Sequence, residues 1–351
     1  MNLISQIREI EKKISGQILF NESLSKYSWF NLGGPAKVVF KPKNLNELSI
    51  FLKNIQGFNK IKVLGAGSNT LIRDGGFDGV IIKLGVGFNY IKLLNNNKIE
   101  VGAATLDKKL SDFAKQKSIT GFEFLSCIPG SIGGAITMNS GCYGYDISQI
   151  FFSLKAINFS GNLKSFNKDD VKFFYRGNNL PKDLIVLSAV FEGGPLNKRE
   201  IESRQMKLIN QKKESQPNKI KTCGSTFKNP QDKKAWKLIR SSNCSNLNIG
   251  GARMSSQHSN FFLNNGSATS SDIENLIEEV RGKGFLLGIK SKINNSIFIE
   301  KLRNNGLLVI GASENVIRIL PPLNVSKKDL KIALKIIQKK CIDINGKRSK
   351  K

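Results

Sequence analysis

The chain has 351 residues, 40% hydrophobic and 23% charged, which is ordinary globular usage and length enough for two or three domains with their own cores. A peptide, a disulfide miniprotein and a disordered tail are thereby excluded. The net charge of +28 comes from 55 basic residues scattered along the chain, so we expect a solvated basic surface that attracts anions, not a nucleic-acid site.

No apolar run approaches the ~18 residues that span a bilayer. The opening MNLISQIREIEKKISG has no continuous apolar core of a signal peptide, so the expected location is the cytoplasm. From residue 38 the pattern predicts strand, helix, strand: VVF, then NLNELSIFLKN with Leu45, Leu48, Phe51 and Leu52 on one face, then IKVL. Asn44 and Glu47 have the spacing of a capping box. A second helix is predicted in TLDKKLSDFAKQK, with Thr105 as cap and Leu106, Leu110, Phe113 and Ala114 on one stripe. The strand IVLSAVF at 185–191 runs into Glu192-Gly193-Gly194-Pro195, a strong breaker and an expected domain boundary. Further helices are predicted over 198–213, 270–280 and 327–340, the last opened by Ser326 and Asp329. Only the terminal GKRSKK is expected to fray, and the mixture is α+β.

Five widely spaced cysteines (127, 142, 223, 244, 341) without a CxxC argue against zinc or a disulfide framework, and a single histidine, His258, cannot build a histidine metal cluster. Chemistry is therefore expected to come from a cofactor. Two glycine turns suggest which kind. The first, LGAGSNTLIRDGG, has Gly65 and Gly67 but Thr70 where a dinucleotide fingerprint has its third glycine, and strand sequence follows it, so a Rossmann site is disfavoured. Gly65, Ala66, Gly67, Ser68 and Asn69 can still form a nest of N–H groups for phosphate oxygens. The second places Pro129 and Gly130 before a helix expected to start at Ser131, Ile132, Gly133 and Gly134, a further anion site. Taken together, the two turns suggest loops closing on one diphosphate.

Seven motifs in order carry a resemblance: FNLGGPA (30–36), LGAGSN (64–69), GFEFLSCIPGSIGGAITMNSGCYG (121–144), FFYRGNN (173–179), GSTFKNP (224–230), IGGARMSSQHSNFFLN (249–264) and ATSSDIENLIEEV (268–280). This set is similar to the UDP-N-acetylenolpyruvoylglucosamine reductases, the flavoenzymes of early peptidoglycan precursor synthesis. The short interval between Tyr175-Arg176 and Gln216-Pro217 resembles the type II branch. The resemblance implies a p-cresol methylhydroxylase-like FAD-binding fold, with lobes over 1–90 and 91–195, an α+β substrate domain over 196–280, FAD and NADPH as cofactors, and a UDP-sugar substrate. It implies that Arg176 binds the substrate carboxylate, that Ser225 is the proton donor, and that Asn229, Lys228 and Tyr175 bind substrate. His258 is expected to be structural. A monomer is the favoured state.

From Arg281 the resemblance stops. Reductases of this type continue into a strand, LExEIxxIG, whose glutamate acts beside the arginine. Here RGKGFLLGIK and GLLVIGASENVIRILPPLNVSKKDLKIALKIIQK resemble the C-terminal end of an acetylornithine-type aminotransferase, whose RxxPPL arginine would be Arg318. This tail, 281–351, holds 17 basic and 4 acidic residues. Glu300 lies at a plausible distance for the missing glutamate, though its neighbours fit the aminotransferase pattern better. Two alternatives therefore stay open: an FAD-binding protein with impaired or no turnover, and a transaminase fragment.

Overall fold

The computed structural model describes residues 3–346 apart from 56–59, 96, 219, 231, 243, 245, 283–286, 291–292, 313–315 and 320–325. By compactness the chain divides into two units, one of residues 1–228 and 248–273, the other of 229–247 and 274–351.

In the first unit, strands Gln17–Ser23, Pro35–Lys41, Phe77–Ile82 and Ile61–Val63 lie side by side in that order. The first pair is antiparallel and the rest parallel. Helix Leu45–Asn54 makes the crossover a parallel pair requires, and it buries Leu48, Phe51 and Leu52, with Phe51 stacked on Phe40 at 4.0 Å. Leu45, expected on the same face, is exposed. The capping box is half formed: Asn44 accepts from Glu47 N, while the Glu47 carboxylate turns instead to Lys43 N and to the N–H and hydroxyl of Ser15.

The second sheet is antiparallel, ordered Leu163–Asn167, Phe151–Asn158, Leu184–Glu192, Lys98–Gly102 and Ile91–Leu93. Its centre explains the unbroken apolar run IVLSAVF, because both faces of that strand are covered. Ile185 and Leu187 join the core of the first sheet, whereas Val186, Ala189 and Phe191 join a second core with Phe122, Phe124 and Phe151. The two sheets therefore share one strand's side chains and meet without a gap. The breaker after Glu192 does not leave the sheet system at once: Gly194–Pro195 pairs with Ile119–Thr120 before helix Lys198–Ser215 starts at its cap, Asn197.

Thr105 does not cap the next helix, which spans Asp107–Gln116. Its hydroxyl donates to Tyr90 O, and Leu106 stands at the cap position, exposed, with no side-chain bond. Leu110 and Ala114 form the buried stripe.

A three-stranded sheet, Asn248–Ile249, Ala252–Met254 and Phe262–Asn264, completes the unit. The 221–225 segment is stitched along it, through bridges Lys221 to Asn264 and Ser225 to Phe261. Asn264 Nδ2 donates to Phe30 O at 2.8 Å, tying this sheet to the first motif of the chain.

In the second unit, strands Leu287–Lys290, Val316–Ile319 and Ile310–Ala312 form an antiparallel sheet. Helices Asn295–Arg303 and Lys327–Gly346 complete a core of Phe298, Leu302, Val309, Ile317 and Ile337. The basic tail thus has an α+β core of its own. Arg318 sits on its central strand. Its side chain, the PPL of the RxxPPL motif and the chain beyond Gly346, where most of GKRSKK falls, lie outside the described residues.

Candidate active site

A cavity of about 830 Å³ opens within the first unit. That size suits a cofactor or nucleotide. The first glycine turn forms one wall. At Gly67 φ is +71°, and a Cβ would strike Tyr27 O, so only glycine fits where Trp29 N donates to Gly67 O at 3.0 Å. Cys223 Sγ donates to Thr70 O at 3.4 Å, and burial pushes its thiol pKa up.

The second turn faces the first. A Cβ on Gly65 would stand 2.6 Å from Ser131 Oγ, so the two loops meet as expected from the sequence. Ser131 occupies the cap of helix Ile132–Thr137. Ile132 N and Gly133 N are not free for an anion, because they donate to Thr105 O and Ala103 O. Every residue named above for the two turns lines the cavity except Ile132, which is fully buried.

Beneath the second turn lies Asp107. Its N–H donates to Gly130 O at 3.1 Å, and its carboxyl would stand 2.5 Å from a Cβ on Gly130. The side chain is fully buried, with neither oxygen bonded among the described residues, and burial drives its pKa well up. As a first-turn acid it reads from sequence as a solvated partner of the helix dipole, and nothing local signals otherwise.

Arg176 stands at the tip of the hairpin Phe173–Phe174 to Gly177–Asn178 with φ +60°, a left-handed backbone that a non-glycine residue adopts at a cost. Its guanidinium donates to Gly141 O at 3.0 Å and lines the cavity, and it stacks over the Tyr175 ring at 5.4 Å. Asn178 donates to Ile136 O at 2.9 Å and so closes the end of the second turn's helix. Ser225 is exposed and lines the same cavity. Lys228 and Tyr175 are exposed and are not among the lining residues. Asn229 belongs to the second unit, where its side chain accepts from Ala235 N at 3.0 Å. His258 accepts from Asn260 N and packs edge-on to Phe261, and burial lowers its pKa.

Sequence reading missed most of the cavity's charge. Lys62, Lys83, Lys182, Lys212 and Lys213 join Arg176 in its wall, and no carboxylate does among the described residues. Lys212 donates to Cys127 O at 2.8 Å. Cys127 and Cys142 line the cavity as free thiols. The neighbouring Cys142 thiol lowers the Cys127 pKa, while Cys127 together with burial pushes that of Cys142 up. A wall with these cations and no carboxylate among its described residues suits a polyanion such as the diphosphate of FAD.

The profile for the C-terminal domain of UDP-N-acetylenolpyruvoylglucosamine reductase matches residues 216–283, and one for an FAD-binding domain matches 36–167. A class-III aminotransferase profile matches 253–341, overlapping the former. The UDP-N-acetylenolpyruvoylglucosamine reductase of Pelagibacter ubique (strain HTCC1062) is 48% identical over 281 residues, covering 79% of this chain and 93% of that one. That of Rickettsia akari (strain Hartford) is 44% identical, covering 78% and 92%. The crystal structure of the reductase from Thermus caldophilus superposes with a TM-score of 0.68 at 28% identity, covering 76% of this chain and 95% of that one.

Proposed function

The chain belongs to the UDP-N-acetylenolpyruvoylglucosamine reductase family, and from that premise we propose which residues carry the reaction. It is an FAD-dependent oxidoreductase of p-cresol methylhydroxylase-like fold. With NADPH it reduces UDP-N-acetylglucosamine enolpyruvate to UDP-N-acetylmuramate in peptidoglycan precursor synthesis. FAD, when bound, supplies hydride transfer from NADPH to the vinyl carbon distal to the carboxylate.

The chain's own residues must manage what that addition leaves behind: negative charge on the adjacent carbon, spread into the carboxylate. Arg176 binds the carboxylate, where a planar two-pronged donor stabilises the enolate better than an ammonium would. Ser225 delivers the proton to the carbon. Serine is a weak acid, and it serves because the carbanion is strongly basic and Ser225 lines the cavity. The turns 65–69 and 129–134 hold the FAD diphosphate, and Lys228, Asn229 and Tyr175 hold the UDP-sugar. Residues 1–90 and 91–195 are read as the FAD lobes and 196–280 as the substrate domain. The enzyme acts in the cytoplasm as a monomer, with no nucleic-acid or membrane partner; no described helix is long and apolar enough to cross a membrane.

One observation carries the assignment: both glycine turns, Arg176 and Ser225 line a single cavity with no carboxylate among its described residues. The test is purification and turnover. The protein should copurify with non-covalent FAD and, beyond one reduction of the flavin, consume NADPH in step with the enolpyruvyl substrate. A colourless protein that takes up no FAD on titration would overturn the reading.

A further inference from the structure

One cation of the cavity wall has no part in the reaction as written. Lys83 follows the strand Phe77–Ile82 directly, so the end of a buried strand delivers its ammonium under the first glycine turn, where Nζ donates to Gly65 O at 2.6 Å. The side chain is half-buried and lines the cavity. Its charged neighbour is another cation: Lys41 shares the Tyr27 ring with it, the two ammonium groups lying 4.9 and 5.8 Å from the ring centroid. Among the described residues no carboxylate pairs with Lys83, and burial together with Lys41 lowers its pKa. A cation held away from water beside a like charge is unfavourable until an anion arrives.

We propose that Lys83 is the fixed cation of the FAD diphosphate site, tethering the turn through Gly65 O while its charge binds a phosphate oxygen of the dinucleotide. The proposal rests on FAD being the resident cofactor. Diphosphate is also the chemistry of the UDP-sugar, so the experiment separates the two sources.

The test uses the full-length protein, stripped of flavin, in wild-type, Lys83→Gln and Lys83→Arg forms. Glutamine removes the charge and keeps an N–H donor one bond shorter than the ammonium, and arginine restores both charge and reach. Equilibrium titration should show Lys83→Gln binding FAD and ADP on the order of 10–10² times more weakly, with a shallower salt dependence, and Lys83→Arg recovering most of the affinity. The flavin-free Lys83→Gln protein should melt at the wild-type temperature or above it, since an uncompensated charge has gone. Affinity and apoprotein stability falling together, with the salt dependence of binding unchanged, would make Lys83 a structural tether only and overturn the proposal. Unchanged FAD affinity with a raised KM for the UDP-sugar would assign the lysine to the substrate and overturn it too. If the wild-type protein itself binds no FAD, the cofactor reading falls, and this proposal with it. If wild type and Lys83→Gln bind FAD equally, only the role of Lys83 falls.

Discussion

In the proposed assignment Arg176 and Ser225 act on the same half of the reaction, which makes their roles separable from cofactor reduction. Ser225→Ala should leave flavin reduction by NADPH nearly intact and slow reoxidation by the enolpyruvyl substrate on the order of 10²–10⁴-fold, the usual consequence of losing one positioned proton donor. Stopped-flow traces in which only the NADPH half slows would contradict the assignment. Asp107 gives a prediction of a different kind. Its folded-state pKa lies above the unfolded one, so the native state holds the proton more tightly and stability declines as pH rises from about 4 towards the folded pKa. Asp107→Asn removes the titration. The stability of the variant relative to wild type, from denaturant melts at pH 4 to 8, should therefore climb with pH, by at most about 1.4 kcal/mol per unit. A difference that stays flat or shrinks with pH would mean that the carboxyl has a partner or water of its own.

At the scale of elements, the start of helix Ser270–Gly282 shows how one acid joins distant motifs. Asp74, in the loop after the first glycine turn, accepts from Ser270 N, Ser271 N and Ser271 Oγ at 2.8–2.9 Å. Ser270 Oγ returns a bond to Ile72 O. Burial alone would raise the Asp74 pKa, and those bonds more than offset it, so the net shift is downward. Its contribution is present above the ordinary carboxylate range and is lost as pH falls through the lowered folded pKa. Asp74→Ala should thus cost about 1–2 kcal/mol at pH 7, as for other helix caps, and the difference should vanish in acid. An unchanged midpoint at pH 7 would refute the cap. Local signals made the helix itself legible: its apolar residues recur at helical spacing, and Ile273, Leu276 and Val280 are buried on one face. The cap from Asp74 was not legible, because it comes from nearly two hundred residues away. Thr105 is the converse case. A threonine before an apolar stripe looks like a cap, yet a long-range acceptor, Tyr90 O, takes its hydroxyl. The glycine turns, which both line the same cavity, were readable as two loops that close on one site. The lysines around them were not, since strands and helices far apart in the chain bring them to the wall.

Over the whole molecule, the question is what the tail does to an enzyme whose other parts are in place. The resemblance leads one to expect a strand after Val280 whose glutamate works beside Arg176; the strand that follows, Leu287–Lys290, carries no glutamate and belongs to a small α+β core. Glu300 does not sit on a strand. It lies on helix Asn295–Arg303, two residues from the buried Phe298 and Leu302 in either direction, roughly 200° around the helix, and it is exposed. The tail's core has no need of it, so Glu300→Gln should leave the melting temperature and turnover unchanged, whereas Leu302→Ala should destabilise the second unit by about 2–5 kcal/mol. On the proposed assignment, with no acid supplied from that position, the carboxylate of the enolpyruvyl group is left to Arg176 and the other cavity cations. A chimera carrying an LExEIxxIG ending after Val280 should then turn over the enolpyruvyl substrate faster than the unmodified chain, while NADPH reduces the flavin equally in both. Equal rates of substrate-dependent NADPH oxidation would mean that charge stabilisation in the existing cavity suffices, and that the tail replaced a glutamate this enzyme does not use.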